Sequence, residues 1–229
     1  MVTFKMKLHI TLLLLIPSLI GCSQVKQNEL VDYGFKGNIK SVVIKEHPGP
    51  TEGASGSWTA EKETTLIRTM VFDRSGMLEN ESFESPQTKY SRAYTNQGNK
   101  KISCVERGEL EGSSTFSYTD SSMVERNLNK SGVLTFEAIT VFDKNFLTIK
   151  EIYKYYRRDG QLTNTTETVF QNRIDGYFNK FVYTDKGSKE VTEYEYIILQ
   201  RDERGNPLQA LKKENGQPSS LKIFTYEYK

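Results

Sequence analysis

The sequence is nearly devoid of the residues on which most catalytic chemistry relies: its 229 residues include two histidines, two cysteines and one tryptophan. Beyond residue 22 only His47 and Cys104 remain of the first two types. That is too little for a Ser-His-Asp or Cys-His pair, or for a zinc site built from His and Cys. No glycine run opens a helix in the manner of a phosphate-binding loop, and the scattered Asp-x-x-Gly pairs lack the alternating acids and closing Glu of an EF-hand. No cofactor and no metal is therefore indicated. An excess of one charge is missing as well, since 31 basic residues oppose 29 acidic ones. Residues 1–21 carry Lys5 and Lys7 and no acid, which leaves 29 of each sign in the rest. A protein that tracks phosphates carries a basic excess or patch, so nucleic acid is excluded as a partner. Long apolar runs are absent too. The longest, Ile10 to Ile20, is about half of the roughly 20 residues a spanning helix needs, and Pro17 and Ser18 interrupt it.

Lys5 and Lys7, the short apolar run and then Leu19-Ile20-Gly21-Cys22 follow the order of a secretory signal. The last four residues resemble the lipobox of bacterial lipoproteins. The resemblance implies a signal peptide over 1–21, a diacylglyceryl group on Cys22 and the lipid bilayer as the first partner of the chain. Several acyl chains make a lasting anchor where one would bind only marginally. Ser23, rather than Asp, follows the cysteine, which in the common Gram-negative sorting pattern favours the outer membrane. Residues 22–36 are polar and mixed and are expected to form the lipidated tether, with a span of about 20 Å by flexible-chain scaling. With Cys22 committed to lipid, Cys104 has no partner in the chain and a disulfide framework is excluded. Cys104 shares an expected strand face with Ile102, as a small buried hydrophobe.

Residues 37–229 alternate with period two between turns. Tyr194, Tyr196 and Ile198 fall on one face with Glu193 and Glu195 on the other; Phe224, Tyr226 and Tyr228 behave alike, as do Tyr177, Phe181 and Tyr183. No proline occurs between Pro86 and Pro207, as befits continuous hydrogen-bonded strands. An aromatic residue, then Asp or Asn, then often Gly recurs at Phe72-Asp73, Tyr94-Thr95-Asn96, Tyr118-Thr119-Asp120 and Phe142-Asp143, with looser copies at Asp159, Asp185 and Asp202. Asp and Asn cap their own backbone and Gly takes positive φ, so these are reversal points. The set resembles YD or Rhs-type repeats. That resemblance implies a single all-β domain, an antiparallel β-meander of repeated hairpins forming one open or curled sheet, and it transfers no activity.

The loop from Pro48 to Ser57 ends at Trp58, and this tryptophan together with Tyr194, Tyr196, Tyr226 and Tyr228 makes a candidate binding face. The first functional expectation is a non-catalytic envelope lipoprotein, presenting these aromatics to an envelope protein or a glycan. A second is a carrier whose curled sheet encloses an apolar groove for a lipid or another amphiphile. A third is a carbohydrate-active enzyme with paired carboxylates drawn from Glu81, Glu84, Glu193, Glu195 and Glu227; alternating Glu on the outward side of an amphipathic strand explains most of them without catalysis.

Overall fold

The structure is a computed structural model, described here for residues 28–60, 63–109 and 111–229. The expected signal peptide over 1–21, with Leu19, Ile20 and Gly21, and the expected lipidation site Cys22 lie outside the described residues. One short helix, α1 (Glu29–Asp32), precedes sixteen strands. They are β1 (Ile39–Pro48), β2 (Thr51–Glu52), β3 (Trp58–Thr59), β4 (Leu66–Phe72), β5 (Leu78–Glu84), β6 (Lys89–Gln97), β7 (Lys100–Gly108) and β8 (Gly112–Tyr118). The series continues with β9 (Ser122–Asn129), β10 (Leu134–Phe142), β11 (Thr148–Tyr156), β12 (Leu162–Ile174), β13 (Tyr177–Asp185), β14 (Val191–Arg201), β15 (Pro207–Glu214) and β16 (Gln217–Tyr228).

Strand β1 pairs on both edges. Val42 lies opposite Tyr226 of β16 on one side and Met70 of β4 on the other. Every other neighbour in the ladder is consecutive in sequence and antiparallel, so the double pairing closes a 14-stranded barrel. Only β2 and β3 stand apart, as a two-stranded ribbon inserted between β1 and β4. The expectation of an open or curled sheet is thus wrong. Hairpins are encoded locally, whereas closure depends on the first and last strands meeting across 172 to 189 residues, for which a short-range pattern carries no signal. The barrel also removes the physical basis for the YD/Rhs resemblance, which implied an unclosed repeat sheet.

The turn chemistry behind that resemblance has a local cause. At Asp73, Asn129, Asp143 and Asp202 the side-chain Oδ1 accepts from the backbone N–H two and four residues on. Glycine at positive φ occupies the fourth turn position in three of them, and Phe146, at φ 59°, in the other. Asn96 and Asp120 do not play this part. Asn96 reaches back to the Leu78 carbonyl, and Thr119 supplies the side-chain contacts in the turn before β9. A register shift in the β6/β7 pairing separates Ile102 from Cys104: Ile102 is 43% exposed and Cys104 1%. A bulge adds one residue and so reverses which side chains share a face, which corrects the expected pairing of these two.

Residues 28–36 are not a free tether. Asn28 caps α1 by accepting from the Val31 N–H, and the segment lies against one rim of the barrel. The Leu30 N–H donates to the Gly76 carbonyl, Glu29 accepts from the Leu78 N–H, and Asp32 accepts from the Thr148 N–H and hydroxyl. Arg173 pairs with Asp32 at 2.7 Å, while Asn206 exchanges hydrogen bonds with the backbone of Lys36. All these partners belong to turns or strand ends on the same rim, so α1 and Tyr33 to Lys36 form a plug. Inside, Phe35 packs among Tyr33, Phe72, Tyr177 and Tyr226.

Gly34 is where the plug meets the tip of the β12/β13 hairpin. Its φ is +77°, and a Cβ there would lie 2.4 Å from the Tyr177 nitrogen and 2.5 Å from the Gly176 carbonyl, backbone atoms that cannot give way. Gly98, also at positive φ, has nothing within 4 Å of its notional Cβ. Gly34→Ala should therefore destabilise the barrel well beyond the roughly 1 kcal/mol that a φ penalty alone costs, whereas Gly98→Ala should show only that penalty. Paired urea titrations check this; equal losses would mean that the plug contact contributes nothing.

Candidate functional site

The pairing registers sort side chains into inward and outward rows. One inward row reads Ile44, Arg68, Phe83, Tyr90 around β1, β4, β5 and β6, and a second reads Met70, Glu81, Arg92, Glu106. Across the barrel, Phe170, Phe181 and Tyr194 form another, with ring centroids 5.7 and 5.0 Å apart. Together with the plug they surround a chamber of about 640 Å³. Its floor is Glu29, Asp32, Tyr33 and Phe35; toward the opposite rim the lining reaches Tyr90, Phe136 and Tyr155, the last 42% exposed. This volume lies within the range of small-molecule sites, about 300 to 1,000 Å³.

The chamber is aromatic but not neutral. Arg68 pairs with Glu81 and donates to the Tyr33 hydroxyl at 3.1 Å, its guanidinium over the rings of Tyr33 and Phe83. The Tyr94 hydroxyl donates to Glu81 at 3.2 Å. Arg92 bridges two carboxylates, Glu106 at 2.9 Å and Glu125, and Asn127 donates to Glu106 at 2.7 Å. Lys101 meets Glu29 of the plug at 2.5 Å, over the Tyr94 ring. On the far wall Glu46 lies 3.6 Å from both Lys212 and Lys222 and accepts from the Ser220 hydroxyl. Burial opposes ionisation of Glu46, yet Lys222, Ser220 and Lys212 together hold its carboxyl below the usual range. Burial wins at Glu106, whose carboxyl is pushed up, and at Cys104, whose thiol is raised to about 11 and is inert as a nucleophile at neutral pH.

Glu151 differs from the other acids here. It lines the chamber from β11, opposite Thr140 of β10 and Thr168 of β12, and no cation lies within salt-bridge distance among the described residues. Burial, reinforced by Asp32 in the plug, raises its carboxyl to about 7.

The outward rows have another character. Arg126, Glu137 and Lys154 form a run across β9, β10 and β11, with both contacts at 2.9 Å. Lys150 pairs with Glu167 at 3.0 Å and Lys180 with Glu193 at 2.7 Å. On the neighbouring strands β5, β6 and β8, Ser82, Ser91, Ser113, Thr115 and Ser117 also face outward. A barrel wall in lipid presents an apolar band, and Arg or Lys at its midplane costs about 2 to 4 kcal/mol each. Apolar side chains, Val105, Leu128, Val169 and Ile223 among them, share the outer face with these charges, so the wall is mixed and not a continuous apolar band.

The candidate binding face is redistributed by the fold. Tyr194, Tyr196, Tyr226 and Tyr228 all belong to inward rows: Tyr196 accepts from Lys222, the Tyr226 hydroxyl donates to the Pro207 carbonyl, and the Tyr228 hydroxyl donates to Asp202. Tyr226 and Tyr228 stack at 6.0 Å near the plug. Trp58 sits half-buried in the separate ribbon and joins none of these rows. Of the acids proposed as a catalytic pair, only Glu81 faces the chamber; Glu84, Glu193 and Glu227 pair with Lys89, Lys180 and Lys40 outside, and Glu195 shares their outward alternation. No opposed carboxylates from that set face a common cleft. The sequence does carry a sign of the chamber charges. In Tyr90-Ser91-Arg92-Ala93-Tyr94 and Glu151-Ile152-Tyr153-Lys154-Tyr155 a charge falls on the same alternation as the rings.

No protein-family model matches the sequence, and no curated protein does. Among solved structures, a porin-like protein from Bacteroides vulgatus ATCC 8482 is similar at a TM-score of 0.44 and 9% identity, over 84% of this chain and 99% of that one. A porin-like protein from Bacteroides uniformis ATCC 8492 is similar at 0.41 and 14% identity, over 82% and 96%. Likenesses of this size carry no functional inference, and the closed barrel stands on the strand pairing within this chain.

The position of Glu151 has a consequence for stability. A carboxyl raised from 4.5 to about 7 binds a proton more tightly in the folded than in the unfolded state, so it contributes stability at low pH that is lost as pH rises between those values. Glu151→Gln should match the wild type near the unfolded carboxyl pKa and exceed it above pH 7 by up to about 3 kcal/mol. Denaturation series across that window check the sign; a variant that is less stable at high pH would contradict it.

Proposed function

We propose that this chain is a non-catalytic, lipid-anchored protein of the bacterial envelope whose barrel stands in water and holds an amphiphile in its chamber. The observation that carries this reading is the outer wall: ion pairs and hydroxyls stand on it among apolar side chains, whereas rings and enclosed ion pairs line the inside. A lipid-facing wall would instead present an uninterrupted apolar band. The same observation favours the carrier over a scaffold presenting Tyr and Phe to a protein or glycan, because the aromatic rows that motivated the scaffold point inward. Anchoring rests on the lipobox resemblance and has a geometric corollary. The plug begins at Asn28, six residues after Cys22, and six extended residues reach about 20 Å. Acylated at Cys22, the protein would therefore hold its plugged rim toward the bilayer and its opposite rim away from it.

Two outcomes are expected. Cys22→Ser should move the protein from the detergent-released membrane fraction into the soluble one; retention of the variant on membranes would remove the anchor. The soluble variant should bind 1-octanol saturably with one site per chain, by titration calorimetry. Ala138→Phe, which places a ring in the chamber wall, should weaken that binding at least tenfold while the protein still melts cooperatively. An absence of octanol binding, or full binding by a folded Ala138→Phe protein, would contradict the carrier.

A further inference from the structure

We infer that the chamber selects amphiphiles that carry a protonated amine, and that the Glu151 carboxylate receives the ammonium group. The inference rests on reading the barrel as a ligand-holding chamber and assigns the chemical class of its ligand. Its basis is the charge balance of the interior. Each of the other acids of the chamber and plug is paired with a cation: Lys101 with Glu29, Arg173 with Asp32, Arg68 with Glu81, Arg92 shared by Glu106 and Glu125, and two lysines with Glu46. Glu151 is left over. Buried carboxylates are ordinarily paired because removing the charge from water is expensive, so a lone one aimed into a cavity marks a place where a cation is missing.

The groups around Glu151 do not supply that cation. Across the two neighbouring strands it faces the hydroxyl-bearing Thr140 and Thr168, and the Tyr153 hydroxyl, two residues on along its own strand, hydrogen-bonds the carboxyl without supplying a positive charge. From the plug comes Asp32, an anion already held by Arg173 and by Thr148. Arg68 of β4 and Lys101 of β7 act on Glu151 only from a distance, committed to Glu81 and Glu29. Two threonine hydroxyls, a carboxylate and nearby rings match an ammonium headgroup: charge-assisted hydrogen bonds at one point and π faces around it. The chamber already uses this chemistry internally, since Lys101 lies 4.0 Å from the Tyr94 ring centroid and Lys222 4.7 Å from that of Tyr196. Without ligand, a proton takes the cation's place on Glu151 below about pH 7. An anionic headgroup would add repulsion from a surplus acid instead of relieving it.

The test compares three probes of equal chain length, 1-octanol, octylamine and octanoate, by titration calorimetry on the full chain at pH 8 and pH 6. Octylammonium should bind at least tenfold more tightly than octanol at pH 8, and octanoate more weakly than either. Lowering the pH to 6 should weaken octylammonium about tenfold relative to octanol, as Glu151 takes up its proton. In Glu151→Gln the ratio of amine to alcohol affinity should fall close to one at both pH values, while Glu151→Asp should retain an amine preference. Octanol binding with no amine preference, or a preference that survives in Glu151→Gln, would overturn the amine site while leaving the carrier intact. Failure of all three probes to bind would overturn both.

Discussion

Everything else in this molecule depends on the double pairing of β1. By hydrogen-bonding β16 on one edge and β4 on the other, it converts a meander into a closed wall and gives every alternating strand a definite inside. An open sheet of the same strands would leave two unpaired edges, each a template for association. Closure also explains the sharp difference between the two faces. Rings that a flat sheet would have to bury against a second layer are turned toward one another across the bore, and the outer face is free to carry charges.

The interior then has to accommodate ionisable groups that the strand alternation places there. A buried ion pair gains much of its attraction back against the cost of desolvation only when the remaining donors and acceptors are also met. Here most of them are met in chains, the Arg92 Nε–H being an exception: Tyr33, Arg68, Glu81 and Tyr94 form one, and Arg92, Glu106, Glu125, Asn127 and Ser114 another. Two further pairs tie the plug to the wall, so that ordering residues 28–36 and satisfying Lys101 and Arg173 are one event. The chamber is thus a polar framework filled in with rings, and its one unpaired acid stands out against that framework.

Much of the strand content was legible in the sequence, because period-two rows such as Tyr194, Tyr196 and Ile198 have a local cause and because Asp73, Asp143 and Asp202 do cap their own turns. Closure was not, since Ile39 to Pro48 reads as an ordinary strand whether or not its second edge is paired. Nor was the plug: residues 28–36 are polar enough to pass for a tether, and their order comes from partners such as Thr148 and Asn206, far away in the chain. Alternation correctly grouped the aromatic rows but could not tell inside from outside, so rings that face the bore were assigned to a presented surface. The bulge beside Lys101 illustrates how one inserted residue defeats a period-two argument.

The central claim is that the outer wall faces water and the inner wall faces a ligand. Single nitroxide labels on the anchored protein in vesicles test it most directly, placed at outward Ser82, Thr115 and Thr184 and at inward Thr140. Collision rates would be measured with a water-soluble relaxant and with oxygen. The account predicts that all three outward labels meet the aqueous relaxant freely while the inward label is shielded. Outward labels reached by oxygen and closed to the aqueous relaxant would place the wall in lipid and contradict it.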